Sequence, residues 1–213
     1  MNNFGRTLII ALVLSGTLLW ASSPALADST TYTETAVATG SLGGASFTDA
    51  LVTITLVGDT STLTTSTTGI YPFLEVFGPA TVTVEGIGTA SFTDSLAAFD
   101  NPTYGVAGII DSNSFFGLGA DVLDTTDPAF GTYDLTTNIG PITDSSTINP
   151  DDGTCVFCYA TSDGNFVLTS QDSGTSTFSA STAVPEPSSL FLLGVGLSGL
   201  FLARKKKASS ATA

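Results

Sequence analysis

Short runs of β-branched and aromatic residues recur through residues 28–183 and constrain the fold more than any other feature. In residues 51–57 and 80–85, threonine alternates with aliphatic residues, which is the two-residue period of a half-buried strand. Turn-forming glycine, proline, aspartate and asparagine separate the runs. The weakest helix candidate, residues 94–99, is about one turn long. The runs that predict strands are 32–39, 51–57, 70–77, 80–85, 104–110, 130–136, 155–160 and 165–170.

This pattern predicts an all-β domain, either an antiparallel sandwich or a jelly-roll-like arrangement. Hydrophobic residues make up 42% of the chain and 14 of its residues are phenylalanine, which is enough apolar material for a core. The number of residues between the two apolar end segments is typical of one domain.

One heptapeptide pattern occurs twice. Ala-Ser-Phe-Thr-Asp-x-Leu begins at Ala45 and again at Ala90. Two copies are too few for a solenoid, so we expect equivalent strand–turn elements, one in each sheet, with both phenylalanines in the core. The aspartates of the pattern are expected to accept hydrogen bonds within their own turns, with paired cation ligation as the alternative. These residues are Phe47, Asp49, Phe92 and Asp94.

The charges are distributed unevenly. All five basic residues lie in the end segments, and 18 of the 19 acidic residues lie within residues 28–183. A domain with no Lys or Arg repels nucleic acid, because phosphate binding depends on cationic side chains. It also has no internal ion pair to form. The acids are interpreted as a solvated surface, with collection of Ca²⁺ by some of them as the alternative.

The N-terminus has the three parts of a secretory signal. Arg6 precedes an apolar stretch at residues 7–20, and Ala25 and Ala27 form an Ala-x-Ala cleavage site. Residues 1–27 are therefore predicted to be a signal helix that is cleaved after Ala27. A retained membrane anchor is the alternative, for which the apolar stretch is short.

The C-terminus carries a second short apolar segment. Pro185, Glu186 and Pro187 precede it, and a basic run follows it. It is shorter than the ~20 residues of an ordinary bilayer span, but we expect a short transmembrane helix whose C-terminal end the basic residues hold in the cytoplasm. The predicted layout is a sorting segment at 184–207 and a tail at 208–213. The basic run is Arg204, Lys205, Lys206 and Lys207.

These three parts, in this order, resemble the PEP-CTERM sorting signal of Gram-negative bacteria. The resemblance implies processing by an exosortase, a membrane-embedded cysteine protease-transpeptidase. It also implies passage through the inner membrane, then delivery to the cell surface or the exopolysaccharide matrix. Residues 28–183 resemble PEP-CTERM passenger domains of unassigned role, and that resemblance implies no activity.

Cys155 and Cys158 form a C-x-x-C pair. Structural zinc needs four ligands, and the chain has two cysteines and no histidine. A redox site would need a helix after the first cysteine. Export to an oxidising compartment favours a disulfide, with two free buried thiols as the alternative.

Five aspartates are candidate Ca²⁺ ligands, since hard cations prefer oxygen donors. Three of them are spaced by three residues, and two lie in a loop that follows a proline. The alternative interpretation is that they are solvated turn residues. The candidates are Asp121, Asp124, Asp127, Asp151 and Asp152.

The absence of histidine excludes Ser-His-Asp and Cys-His catalysis. A carboxylate-type hydrolase needs only two acids, and Glu34, Glu75 and Glu85 are available, although their spacing selects no pair. The pairs Thr53/Thr55 and Thr81/Thr83 are too few to predict a threonine array, because threonine is a normal exposed strand residue.

The sequence therefore predicts a non-enzymatic, exported structural protein of the cell surface or exopolysaccharide matrix, sorted by an exosortase. The first alternative is a Ca²⁺-dependent carbohydrate-binding module, which would expose aromatic platforms. The second is the carboxylate-type hydrolase. The expected partners are the exosortase, the inner membrane before processing, and exopolysaccharide; nucleic acid is not expected.

Overall fold

A computed structural model describes residues 29–66, 72–111, 120–151, 153 and 155–183. The predicted signal helix and C-terminal segment lie outside these residues. The described chain forms twelve strands and two short 3-10 turns, Thr60–Thr62 and Pro128–Thr132. The strands are β1 (Ser29–Leu42), β2 (Ala45–Asp59), β3 (Thr64–Ser66), β4 (Phe73–Phe77), β5 (Ala80–Val84), β6 (Gly88–Ser91), β7 (Leu96–Asn101), β8 (Val106–Asp111), β9 (Ala120–Thr126), β10 (Ile139–Ser145), β11 (Cys158–Thr161) and β12 (Gly164–Thr182).

The strands form one antiparallel sheet in the order β3-β4-β7-β8-β9-β10-β12-β1-β2-β5-β6, with β11 added to β12. One residue pair, Ser145 opposite Thr126, joins β9 to β10. This junction divides the sheet into one half from β3 to β9 and another from β10 to β6. The sheet is curled, and β2 of the second half contacts β4 and β7 of the first. The predicted all-β, sandwich-like class is confirmed.

Three long strands form the centre of one half. β1 pairs with β2 on one side and with β12 on the other, both antiparallel. Strict alternation along β1 buries every second residue, as the two-residue period requires. Gly40 is needed for close approach, because a Cβ atom there would lie 2.0 Å from the Val167 carbonyl oxygen. The first and last described strands are therefore neighbours, and Ala183 N–H donates to the Ser29 carbonyl.

The core lies between the two halves. Tyr32, Ile54 and Phe178 come from the β12-β1-β2 half, and Ile109 and Leu123 come from β8 and β9 of the other half. All five side chains are fully buried. At about 25 cal/mol per Å² of apolar surface removed from water, such residues each stabilise the fold by about 1.5–3 kcal/mol.

The two copies of the repeated heptapeptide meet in this core. Phe47 and Phe92 both contact Phe166 of β12, with ring centroids 6.5 Å and 5.9 Å from it. Phe47 is buried, and Phe92 packs partly buried against the cluster. Both copies belong to the one sheet, so the expectation of one copy in each sheet is wrong. Asp94 does not bond to its own turn; its Oδ2 accepts from the backbone N–H of Ala160 at 2.5 Å.

One predicted strand is wrong in part, and the weakest helix candidate is not a helix. The predicted strand at 130–136 begins as the 3-10 turn Pro128–Thr132, because Asp127 Oδ1 caps it by accepting from Ala129 N–H at 2.7 Å. The weak helix candidate at 94–99 is mostly strand β7, whose hydrophobic residues are buried on both faces of the sheet. Burial on both faces removes the alternation that marks a strand.

Candidate functional site

A row of six threonines crosses the outer face of the sheet, one from each of six neighbouring strands. Each is directly opposite the next in the antiparallel register, and none belongs to the core. In strand order from β10 to β6, the row is Thr143, Thr177, Thr35, Thr53, Thr83 and Thr89.

A second row lies two residues further along the same strands, on the same face. It contains five hydroxyl residues in continuous register from β12 to β6. All eleven side chains are half-buried or exposed. We call the two rows together the hydroxyl face. The second row is Ser179, Thr33, Thr55, Thr81 and Ser91.

The spacing of the hydroxyl face follows from the sheet. Neighbouring strands lie about 4.8 Å apart and alternate residues along a strand about 6.8 Å apart. At the two ends of the first row the hydroxyls bond to each other. Thr83 Oγ1 and Thr89 Oγ1 are 2.8 Å apart, and Thr143 Oγ1 and Thr177 Oγ1 are 2.6 Å apart.

The hydroxyl face carries no carboxylate, although residues 28–183 contain 18 acids. On these strands the same outward side ends at Asp59 of β2 and at Glu85 after β5. Leu51 and Val57 border the rows on β2 and are 45% and 42% exposed. The face is therefore an uncharged, polar area on an acidic domain.

The expectation that the threonine pairs form no array is wrong. Thr53 lies opposite Thr83, and Thr55 lies opposite Thr81, so the two predicted pairs are joined. The threonines of β1 and the hydroxyl residues of β12, β6 and β10 then extend both rows. The alternating threonines at 31, 33 and 35 can be seen in the sequence. The register that aligns them with the threonines of other strands cannot.

On the opposite, inner side of β1 lies a fully buried acid, Glu34. Its Oε1 is 2.6 Å from Thr125 Oγ1 on β9, which is 2.5 Å from Ser176 Oγ on β12. Ser176 Oγ–H donates to the Asp124 carbonyl oxygen at 2.5 Å. Glu34 Oε2 meets no hydrogen-bond donor among the described residues.

The surroundings of Glu34 favour its neutral form. Burial, the largest cause, raises the pKa of Glu34 well above its usual value. Thr125 Oγ1–H donates to Glu34 Oε1, and hydrogen bonding by Thr125 and Ser176 lowers the pKa, but burial outweighs it and the Asp124 carboxylate raises the pKa further. No Lys, Arg or His lies within residues 28–183 to hold a charged carboxylate in place.

A second buried acid lies on the inner side of β7. Asp100 is fully buried, and neither of its side-chain oxygens has a hydrogen-bond partner among the described residues. Burial raises the pKa of Asp100 to about 8, and the nearby Asp134 carboxylate contributes. Burial also raises the pKa of the Tyr133 phenol, and electrostatic interaction with Asp100 is one of the smaller causes. These groups are neutral at moderate pH, as expected for ionisable groups with no cation nearby.

Two of the five candidate Ca²⁺ ligands interact electrostatically. Burial and the Asp124 carboxylate raise the pKa of Asp121 to about 7. Asp124 itself accepts from Thr147 N–H at 2.8 Å and from Thr147 Oγ1–H at 2.7 Å. These bonds lower the pKa of Asp124, but burial outweighs them and the net change is upward. Asp124 is thus part of an internal network that links β9 to the segment after β10.

The other candidates lie in turns. Asp127 caps the 3-10 turn, and Asp151 accepts from Gly153 N–H at 3.0 Å and from Val156 N–H at 3.1 Å. Asp152 lies outside the described residues. Within the described part of the chain, no group of three or more His, Cys, Asp or Glu side chains could hold a metal ion. Calcium binding by these acids stays a prediction.

Cys155 and Cys158 form a disulfide with an S–S distance of 2.14 Å. Cys155 has a positive φ of 60°, so the chain turns sharply here and enters β11 only at Cys158. Of the acids suggested for a hydrolase, Glu34 and Glu75 are buried and Glu85 is exposed. Glu34, enclosed in the core, is unavailable to a polymer substrate.

Most of the polar residues that organise the interior have no recognisable pattern in the sequence. Thr125, Ser176, Thr147 and Asp100 belong to no motif. The bonded partners of Thr125 and Ser176 are far away in the chain: Thr125 is 91 positions from Glu34, and Ser176 is 52 positions from Asp124. No local signal could have joined them.

The structure thus defines an all-β domain with a neutral hydroxyl face and a sealed polar interior. Residues 183–207 match the PEP-CTERM protein-sorting motif. No curated protein and no solved structure matches the chain.

The chain therefore carries a PEP-CTERM sorting motif at the place that its C-terminal residues predict. The motif identifies it as an exosortase-sorted protein that is exported through the membrane for attachment at the cell surface of a Gram-negative bacterium. Within the described residues, no helix is long and apolar enough to cross a membrane.

Proposed function

We propose that this protein is a non-enzymatic structural constituent of the cell surface or exopolysaccharide matrix, released from its membrane-bound precursor by an exosortase. The observation that carries the proposal is the sorting motif at residues 183–207. It directly follows the last residues of a single all-β domain, so one folded module is delivered with one sorting signal.

Two properties of the module support this role. Its acids keep it soluble and mutually repelling, as suits a component that must spread through a hydrated matrix. Its buried carboxyls serve internal packing: Glu34 is sealed in the core and Asp124 is bonded to Thr147. Neither is arranged for general acid–base work on an external substrate, which requires hydrogen-bond reach to that substrate.

The test is the intact mass and cellular location of the protein produced from the full chain in cells that contain an exosortase. We expect a mature protein that begins at Asp28, lacks residues 190–207 and is recovered outside the inner membrane. A Glu186→Ala variant should keep the C-terminal segment and stay with the membrane.

A Glu85→Ala variant is the matched control, because it removes an exposed glutamate from the domain instead of from the motif. It should be processed like the wild type. The proposal is wrong if the wild-type protein keeps residues 190–207 and remains in the inner membrane, or if Glu186→Ala is processed normally.

A further inference from the structure

The hydroxyl face differs in composition from the rest of the domain. Eleven aligned side chains are all threonine or serine, in a domain with 18 acids. A solvated surface that only kept the protein soluble would carry acids here as elsewhere. Carboxylates are confined to the ends of the face, at Asp59 and Glu85. The centre therefore offers hydrogen bonds without charge.

Each hydroxyl can donate one hydrogen bond and accept two. The contacts at the row ends use one hydrogen for two hydroxyls, so one hydrogen of each pair stays available. Each threonine also presents a methyl group, and the exposed Leu51 and Val57 add apolar area at the borders. A partner that fits would carry regularly spaced hydroxyls next to C–H surfaces and have no negative charge.

We propose that the hydroxyl face binds an uncharged polysaccharide chain. The inference rests on the proposed function, which brings the domain into an exopolysaccharide matrix. A neutral glycan carries no charge and presents hydroxyls at regular intervals, as the face does. An anionic glycan does not match, because a domain with a formal charge of −18 would repel it.

Two other occupants fit the face less well. A protein interface normally has a core of large aromatic, methionine and arginine side chains, and the eleven residues of the face include none of them. A flat crystal plane such as ice would require a flat array. Antiparallel strands twist by about 20–25° from one to the next, so a six-strand row turns along its length. A flexible chain can follow that turn.

A single hydroxyl of the face should bind a glycan only weakly. A polymer that contacts many hydroxyls along the row should bind strongly. A hydrogen bond exchanged with water contributes about 0.5–1.5 kcal/mol. A row that spans six strands covers about 24 Å, at about 4.8 Å for each strand-to-strand step. Adsorption to an extended polymer then adds several contacts, and many protein copies on one polymer raise the avidity.

The experiment measures adsorption of the full chain to amorphous, acid-swollen cellulose, an insoluble uncharged glycan whose chains are not fixed in a flat crystal, in a detergent without a sugar head group. The variant Thr35→Val/Thr53→Val removes two central hydroxyls and keeps β-branched side chains. We expect adsorption to fall by about tenfold, which corresponds to about 1.4 kcal/mol. Thr53→Ser, which keeps the hydroxyl, should adsorb like the wild type.

Thr103→Val is the matched control, since Thr103 lies in the exposed turn between β7 and β8, away from the face. Its adsorption should be unchanged. Circular dichroism must show that each variant is folded. If Thr35→Val/Thr53→Val does not fold, Thr83→Glu replaces it, because Thr83 is exposed on β5 and a new charge there should abolish adsorption.

Several results would overturn the proposal. These are wild-type protein that does not adsorb, equal adsorption to cellulose and to anionic alginate beads, or a folded Thr35→Val/Thr53→Val variant that adsorbs normally. Shaping of ice crystals without adsorption would assign the face to ice instead. Self-association that is lost in the variant would assign it to a second copy. Normal exosortase processing without adsorption would refute this inference and leave the proposed function intact.

Discussion

Replacing Glu34 with glutamine tests whether this fully buried side chain is a neutral carboxylic acid. Thr125 Oγ1–H donates to its Oε1 at 2.6 Å, and its Oε2 has no hydrogen-bond partner among the described residues. A glutamine amide is uncharged at every pH, and its oxygen can accept the same bond from Thr125. Its buried N–H groups gain no partner, so we expect Glu34→Gln to cost about 1–2 kcal/mol at low pH.

The pH dependence has a definite sign. Burial raises the pKa of Glu34 well above the usual 4.5, so the folded protein keeps a proton that the unfolded chain has released. This stabilisation is complete below the unfolded pKa and is lost as the pH rises through the folded pKa. Between the two values, each pH unit lowers the free energy of unfolding by about 1.4 kcal/mol. The Glu34→Gln protein lacks that slope.

The stability of the wild type should therefore fall toward and below that of Glu34→Gln as the pH rises. Each pH unit between the unfolded and the folded pKa removes about 1.4 kcal/mol of the Glu34 contribution from the wild type and nothing from the variant. Asp100 and Asp121, with pKa values raised to about 8 and about 7, add the same downward trend to both proteins. The difference between the two curves isolates Glu34.

The assay is urea unfolding followed by circular dichroism, from about pH 5 to about pH 8, for the wild type and Glu34→Gln. Glu85→Gln is the control, because Glu85 is exposed and its replacement should leave the slope unchanged. Parallel curves for the wild type and Glu34→Gln would refute the reasoning. A wild type that grows more stable relative to Glu34→Gln as the pH rises would show that the buried group is charged.

Three further predictions concern stability, each measured by urea unfolding. Thr147→Val removes a hydroxyl that donates to a buried carboxylate at 2.7 Å and should cost about 1–3 kcal/mol, whereas Thr147→Ser should cost less. Replacing Cys155 and Cys158 with serine should lower the free energy of unfolding by about 2 kcal/mol, because the disulfide closes only a short loop. As the control, wild-type protein with a reduced disulfide should be as stable as this double variant. Phe166→Ala should cost about 3–5 kcal/mol, since two phenylalanine rings contact Phe166, while Phe77→Ala, at a 37% exposed position, should cost far less; equal costs would contradict the core assignment.

The sequence alone predicted the class of the domain and its sorting signal. Both can be recognised from residues that are close together in the sequence. The alternation of threonine and aliphatic residues at 51–57 sets a strand and its two sides, whatever it pairs with. The Pro185-Glu186-Pro187 motif is likewise recognised as a linear segment. The local pattern was weak at 94–99, where burial on both faces hides the strand, and it was misleading at 130–136, where an aspartate cap starts a 3-10 turn instead of a strand.

The register between strands was decided only by the tertiary structure. Threonine pairs at 53/55 and 81/83 become parts of an array only when β1 and β12 complete the rows. A shift of one residue in any pairing would turn those threonines toward the core.

The state of Glu34 was likewise hidden in the sequence. In the sequence it is one of 18 acids in an acidic domain. The fold places it on the inner side of β1, opposite hydroxyls from two distant strands. The alternation of polar and apolar side chains along a strand determines which of its residues face inward. Only the contacts between strands far apart in the chain determine which partners those residues meet, and so whether a carboxyl is charged or neutral.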